Sequence, residues 1–277
     1  MDLAAEIERN VSVALAEDVG SGDLTALLTA ADLTASAAVL CREPAVVCGR
    51  PWFDACFRHI DSRVRIDWHR EEGAAMPAGA PICSLTGPAR ALLTGERTAL
   101  NFLQLLSAVA TMTRRYVEAI AGTRAAIVDT RKTLPGLRLA QKYAVRTGGG
   151  VNHRLGLYDG ILIKENHIAA AGGVRPALQA AQRLAPPGIW IQVEVENLTQ
   201  LGEALDAGAR MILLDNMGTA MLRAAVDITA GRAELEASGG ITLANVRAVA
   251  ETGVDRISIG SLTKDVRAVD FSMRFSA

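Results

Sequence analysis

From Ala125 onward one pattern recurs, a short apolar run ending in polar residues and then a stretch with helical spacing. The runs are AAIVDTRK (Ala125 to Lys132), GILIKENH (Gly160 to His167), WIQVEVEN (Trp190 to Asn197), MILLDNM (Met211 to Met217), AELEASGG (Ala233 to Gly240) and RISIGS (Arg256 to Ser261). Successive runs start roughly twenty to thirty-five residues apart, the separation that parallel strands joined by crossover helices require. Six such units predict an incomplete TIM-like α/β barrel. No G-x-G-x-x-G follows the first run, so a dinucleotide-binding fold has no support.

The chain before this point reads differently. Three β-like stretches, Ala35 to Val47, Val64 to His69 and Ala80 to Thr86, are punctuated by Gly73, Pro77, Gly79 and Pro81. An apolar helical stretch follows from about Ala91 to Ala121, with Leu92, Leu93, Leu100, Leu103, Leu106, Val109 and Ala110 at helical spacing. It is long enough to bridge two domains. The expected organisation is an N-terminal α+β domain over 1–108 and an α/β barrel domain over 109–269. The tail, 270–277, is expected to return to the first domain as a strand. The turn between Gly73 and Gly79 has no lysine at its tip to carry biotin or a lipoyl group.

Composition narrows the function. Half of the 277 residues are apolar, 21% are charged, and 29 basic residues face 30 acidic ones for a net charge of -1. That balance argues against nucleic acid or an anionic membrane as a general partner. Aromatic residues at 4% leave few stacking platforms. Cys41, Cys48, Cys56 and Cys83 have neither C-x-x-C nor zinc-like spacing and read as reduced core thiols. No apolar run approaches the roughly 20 residues of a spanning helix, and the acidic N-terminus does not read as a signal peptide. A soluble, cytoplasmic protein is expected.

The chemistry collects where the strands end. Thr130, Arg131 and Lys132 end the first run, His153 and Arg154 precede the second, and Lys164 follows the apolar part of the second. Any one cation at a strand end commonly just emerges into solvent. Five together at the carboxyl ends of barrel strands, where active sites gather, point to an anionic substrate, with arginine suited to planar carboxylates and lysine to phosphate oxygens. Glu194 and Glu196 share a face of their strand, and Asp215 closes an apolar run. Such acids either cap the next helix or face a developing cation or a divalent metal. Ser238, Gly239 and Gly240, then Ile259, Gly260 and Ser261, end the last two runs, where small residues let backbone N–H groups approach a phosphate. His59 and His69 read as surface or packing residues and His167 as a strand-end structural residue.

Together with EDVGSGDLT (Glu17 to Thr25), GERTALNFLQLLS (Gly95 to Ser107), DTRKTLPGLR (Asp129 to Arg138) and KYAVRTGGGVNHRLGLYDGILIKENHI (Lys142 to Ile168), the motifs VEVEN, LLDNM, ELEASGGIT and ISIGSLTKD closely resemble quinolinate phosphoribosyltransferases. The resemblance runs in order along nearly the whole chain. It departs at Lys264-Asp265, where many relatives carry His-Ser. It implies phosphoribosyl transfer from phosphoribosyl pyrophosphate to quinolinate with decarboxylation, giving nicotinate mononucleotide, pyrophosphate and CO2 in de novo NAD biosynthesis.

The resemblance also implies an open sandwich domain with an incomplete barrel, Mg²⁺ as cofactor, and residue roles. Arg131, Arg154, Lys132, Lys164 and His153 would meet the quinolinate carboxylates, with Thr130 beside them. Glu194 and Asp215 would attend the ribose and Mg²⁺, directly or through substrate or water. Ser238, Gly239, Gly240, Ile259, Gly260 and Ser261 would cradle the 5′-phosphate. Lys132, Lys164, Glu194 and Asp215 would be the catalytic set. Arg97, expected in the first turn of the long helix, would reach the neighbouring subunit's site and so imply a homodimer, which could assemble further. Two rival readings stand beside this one. Lys164 could form a Schiff base as in aldolase-type barrels, or the fold could take another acceptor or serve as a non-catalytic binding module.

Overall fold

The computed structural model describes residues 2–275, so Met1, Ser276 and Ala277, at the ends of the expected first domain and tail, lie outside the described residues. The chain divides into two units. One holds Met1–Arg114, Thr133–Gly149 and Thr263–Ala277, and the other holds Arg115–Lys132 and Gly150–Leu262.

The first unit opens with α1 (Leu3–Val19), whose N-terminus is capped by the Asp2 carboxylate accepting from the Ala4 amide at 2.9 Å. Then come β1 (Thr34–Cys41), β2 (Ala45–Val46), α2 (Arg50–Ile60), β3 (Arg65–Trp68), β4 (Ala75–Met76), β5 (Pro81–Pro88) and the long α3 (Ala89–Ala119). The stretch expected as one strand from Ala35 to Val47 is therefore two. Pro44, which lacks an amide donor, falls in the break between β1 and β2. The main sheet is antiparallel in the order β12-β1-β5-β3, its outer strand being the C-terminal β12 (Phe271–Phe275), paired from Ala37↔Phe275 to Cys41↔Phe271. Alternate residues of β1, Ala37, Val39 and Cys41, turn inward and share one buried apolar cluster with Trp52, Phe53, Leu85, Leu100 and Leu103.

The segment 133–149, expected within the barrel domain, groups with this first unit. Its helix, α4 (Arg138–Thr147), buries Ala140, Ala144 and Val145 in the same core, and the Tyr143 ring meets Trp52 at 5.2 Å. The division into compact units along α3 falls after Arg114.

The second unit carries β6 (Ala126–Val128), β7 (Gly160–Ile163), α5 (Glu165–Ala171), α6 (Val174–Leu184), β8 (Trp190–Val195), α7 (Leu198–Asp206), β9 (Met211–Asp215), α8 (Thr219–Thr229), β10 (Glu234–Ser238), α9 (Val246–Ala250), β11 (Arg256–Ser258) and α10 (Ser261–Lys264), the last ending beyond the unit's boundary at Leu262. Its six strands are all parallel in the order β6-β11-β10-β9-β8-β7, with the first strand beside the last. That order is an incomplete barrel. The gap between β6 and β7 is partly spanned by Val151, which donates to Ile127 O at 2.8 Å and accepts from the Asp129 amide at 3.1 Å. No described helix is long and apolar enough to cross a membrane, and the four cysteines are free and buried.

Candidate active site

Parallel pairing brings every carboxyl end to one side of the sheet. Ile163 lies opposite Val193, Ser238 opposite Asp215 and Ser258 opposite Val128, so Lys164, Glu194, Asp215, Ser238, Ile259 and the Thr130–Lys132 turn share that side. All of the expected site residues except Arg97 lie in this unit.

The β6 end begins with Asp129, which is fully buried and accepts from the His153 amide at 2.8 Å and from Asn152 Nδ2 at 2.6 Å. Thr130 Oγ1 then accepts from the Lys132 amide at 3.1 Å and turns the chain back. The Lys132 stem lies across Gly260, where a Cβ would stand 3.1 Å from Lys132 Cδ and 3.6 Å from Thr130 Oγ1. A side chain at position 260 would push Lys132 aside, so the glycine joins the β11 loop to the β6 loop.

Arg154 is buried, with Nη1 donating to Gly160 O at 3.0 Å. Its pKa is held below the ordinary arginine value, first by burial and then by the charge of Arg131, while Asp159 opposes both. Arginine does not lose its proton in proteins, so this is a standing repulsion in a desolvated place. The loop that follows is folded on Asp159, which accepts from the amides of Leu155 at 2.7 Å and Gly156 at 2.9 Å.

Across the pocket, Lys164 Nζ donates to Glu194 Oε2 at 2.9 Å. Glu194 is buried, and burial raises its carboxyl above the ordinary glutamate range. Lys164 pulls it back down, and Asp215 and Glu165 push it up. Burial and the neighbouring acids both disfavour the negative charge of Glu194, and positive charge developing beside it would relieve that. Glu196, on the same strand face by alternation, lies past the end of β8 and is exposed. His167 Nδ1 accepts from the Lys164 amide at 2.9 Å, a structural part at the start of α5.

The phosphate candidates are glycine-built. Gly239 has φ +97°, and a Cβ there would overlap the Asn216 side-chain oxygen outright. Asn216 itself has φ +54°, donates to Asp215 Oδ2 at 2.7 Å and gives its amide to Ser238 O at 2.9 Å. Gly240, at φ +62°, has open space where a side chain would be. These bonds tie the Ser238–Gly240 turn to the end of β9.

His153 is bound at both ring nitrogens, Nδ1 accepting from the Arg154 amide at 2.8 Å and Nε2 meeting Gln192 Oε1 at 3.0 Å. Gln192 Nε2 donates to Glu236 Oε2 at 3.2 Å, and Arg256 Nε lies 3.2 Å from the same oxygen. Gln192, Glu236, Arg256 and Asp129 were not expected as functional residues. The available signal was a polar residue at an inward position of a strand flanked by valines and isoleucine, as Gln192 is in WIQVEV.

Arg97 differs from expectation in one respect. Because α3 begins at Ala89, Arg97 is exposed more than two turns into the helix, beyond the first turn where the helix dipole acts on a cation.

Family models match nearly the whole chain. The N-terminal domain of quinolinate phosphoribosyl transferase matches residues 23–107, and its C-terminal domain matches residues 109–274. The chain belongs to the quinolinate phosphoribosyltransferase family. It is 44% identical over 257 residues to a probable nicotinate-nucleotide pyrophosphorylase [carboxylating] of Bacillus subtilis, covering 93% of this chain and 89% of the relative. To the enzyme of that name from Mycobacterium leprae it is 44% identical over 270 residues, covering 94% of each. The solved nicotinate-nucleotide pyrophosphorylase of Francisella tularensis superposes with a TM-score of 0.96 at 42% identity, over 100% of this chain and 98% of that one.

Proposed function

We propose that this member of the family is a pentosyltransferase that joins quinolinate to the phosphoribosyl group of phosphoribosyl pyrophosphate. The products are nicotinate mononucleotide, pyrophosphate and CO2, as a step in NAD biosynthesis. The observation that carries the reading is Arg154, buried and repelled by Arg131. A small planar acid with adjacent carboxylates relieves that repulsion, because guanidinium groups pair with carboxylates bidentately. Lys132 and Lys164 add charge beside them, and Thr130 shapes the turn.

The pyridine nitrogen attacks C1 of the ribose as the C1–O bond to pyrophosphate breaks, and the sugar passes through oxocarbenium character. Glu194 and Asp215 stabilise that charge, while Lys164 keeps the Glu194 carboxylate oriented. Once the nitrogen is quaternised, the C2 carboxylate leaves as CO2, its bonding pair remains on the ring stabilised by the pyridinium, and a proton replaces it at C2. The turns at Ser238–Gly240 and Ile259–Ser261 hold the 5′-phosphate through backbone N–H groups.

The donor set fits Mg²⁺ only as an ion carried with phosphate oxygens. Among the described residues no three His, Cys, Asp or Glu side chains converge, but Glu194 and Asp215 offer carboxylates on neighbouring strands. Bound there, Mg²⁺ would neutralise the departing pyrophosphate. A Schiff-base role for Lys164 has no support, since its amine is engaged by Glu194 and half exposed, not desolvated in an apolar pocket.

Arg97 reaches the site of a second copy, making the working unit a homodimer. Its exposure on α3 supports this. The enzyme works in the cytoplasm, a reading supported by its four unbridged thiols. Its partners are these small molecules and its own copies, not nucleic acid or membrane. Incubating the purified chain with quinolinate, phosphoribosyl pyrophosphate and Mg²⁺ tests the reaction. Nicotinate mononucleotide, pyrophosphate and CO2 are expected in equal amounts, and no product with fully folded protein would refute it.

A further inference from the structure

Behind the anion pocket a chain of polar side chains crosses the interior of the parallel sheet. It starts at the Arg154 amide and ends at Glu236, which is 1% exposed. The direction of each bond follows from the two ends. A backbone N–H can only donate, so His153 Nδ1 accepts from Arg154 and the ring proton belongs on Nε2. Nε2–H therefore donates to Gln192 Oε1. At the far end the Glu236 carboxylate accepts from Gln192 Nε2. Flipping the Gln192 amide would set donor against donor at His153 and oxygen against oxygen at Glu236. Arg256 supplies the countercharge, with Nε 3.2 Å from Glu236 Oε2 and Nη1 3.3 Å from Glu234.

Two more contacts hold the imidazole in place. Asp129 takes the His153 amide, and the Trp190 ring meets the imidazole edge-on at 5.1 Å, from the same strand as Gln192. Arg154 is consequently pinned twice, through its own amide by the His153 ring and through Nη1 by Gly160 O.

We propose that Gln192 and Glu236 are positioning residues for the anion pocket, holding the His153 ring as an Nε2–H donor and so fixing the backbone from which Arg154 projects. His153 is then a strut under the pocket and not the carboxylate ligand that the family resemblance implies. This inference rests on the reading of Arg154 as a ligand for the acid substrate. Replacing a partner that orients a ligand misplaces that ligand without removing it, which weakens one substrate selectively.

Long-range ¹H–¹⁵N spectra of the full chain labelled with ¹⁵N-histidine test it, His153 being assigned with His153→Gln. The expected wild-type signal is the Nε2–H tautomer, unchanged by saturating quinolinate. Conversion to imidazolium on quinolinate binding would overturn the proposal. Gln192→Leu is expected to lose the single-tautomer signal and to raise the quinolinate KM roughly 10-fold, with kcat and the phosphoribosyl pyrophosphate KM within about two-fold. The double exchange Gln192→Glu with Glu236→Gln keeps an acceptor for Nε2–H and a donor behind it. It should restore the tautomer and bring the quinolinate KM back within about three-fold of wild type. An unchanged quinolinate KM in Gln192→Leu, or equal damage to both substrates with no rescue, would also overturn the proposal. Arg154→Ala separates the two layers. If it leaves the quinolinate KM unchanged, the acid-pocket reading itself fails, even with the His153 tautomer intact.

Discussion

Gly239→Ala should damage this protein far more than Gly240→Ala, although the two glycines are adjacent and both have positive φ. At Gly239, φ is +97° and an added Cβ would overlap Asn216 Oδ1, with Asn216 Cγ at 2.6 Å and its amide nitrogen at 3.0 Å. Backbone strain at such an angle costs about 1–3 kcal/mol for a residue with a Cβ. The Asn216 side chain must also leave Asp215 Oδ2, giving up a 2.7 Å bond, worth ~0.5–1.5 kcal/mol at an exposed position. Together these place the loss at roughly 2–4 kcal/mol. At Gly240, φ is +62° with nothing within 4 Å of the new Cβ, so only the left-handed penalty of ~1–2 kcal/mol applies. Urea unfolding of wild type and both variants measures the difference, provided the m-values agree. Because the displaced Asn216 frees Asp215, Gly239→Ala should also raise the KM for phosphoribosyl pyrophosphate more than that for quinolinate. Equal stability losses in the two variants, or a Gly239→Ala loss under about 1 kcal/mol, would refute the packing of Asn216 on this turn.

Glu194→Gln and Asp215→Asn should each lower kcat more than they raise the quinolinate KM, since both carboxylates act where charge develops; weakened quinolinate binding at constant kcat would contradict this. Carboxyl ¹³C spectra should find Glu194 titrating above the ordinary glutamate range, lower in Asp215→Asn and higher in Lys164→Met, because Asp215 raises it and Lys164 lowers it. The folded protein holds that proton more tightly than the unfolded chain. Its contribution to stability is therefore lost as pH rises from the ordinary glutamate range through the folded pKa, so Glu194→Gln should raise Tm at neutral pH while losing activity. Arg97→Ala and Lys164→Ala should be nearly inactive alone and regain roughly a quarter of wild-type sites when mixed under subunit exchange, one site of each mixed dimer being intact. An active Arg97→Ala, or no recovery on mixing, would remove the shared site.

The barrel strands were legible because each is a buried apolar run closed by polar residues, and β6 to β11 fall inside the six runs read from the sequence. The polar ends carried the site for the same reason, since parallel strands must present them on one side. Segment 133–149 was not legible. The apolar face of α4 reads the same whichever core it enters, and the choice was made by Trp52 and its neighbours some ninety residues earlier. The start of α3 lies two residues before the expected one, because Pro88-Ala89-Arg90 carries no capping side chain; the first-turn position expected for Arg97 fails with either start, since even from Ala91 it lies beyond one turn. Gln192 and Glu236 were missed because an inward polar residue looks alike in sequence whether it meets water or a partner. Here the partner lies 44 positions away on another strand.

Turnover of quinolinate against nicotinate, compared on one preparation with saturating phosphoribosyl pyrophosphate and Mg²⁺, bears on the reason for the arginine pocket. Nicotinate lacks the C2 carboxylate and would give the buried Arg154 one carboxylate fewer to pair with. Losing one charged partner of a buried pair costs about 3–5 kcal/mol. A kcat/KM ratio of roughly 100-fold or more in favour of quinolinate is expected, with one CO2 released per pyrophosphate. Comparable kcat/KM values for the two acids would contradict the assignment of Arg131 and Arg154 to a dicarboxylate.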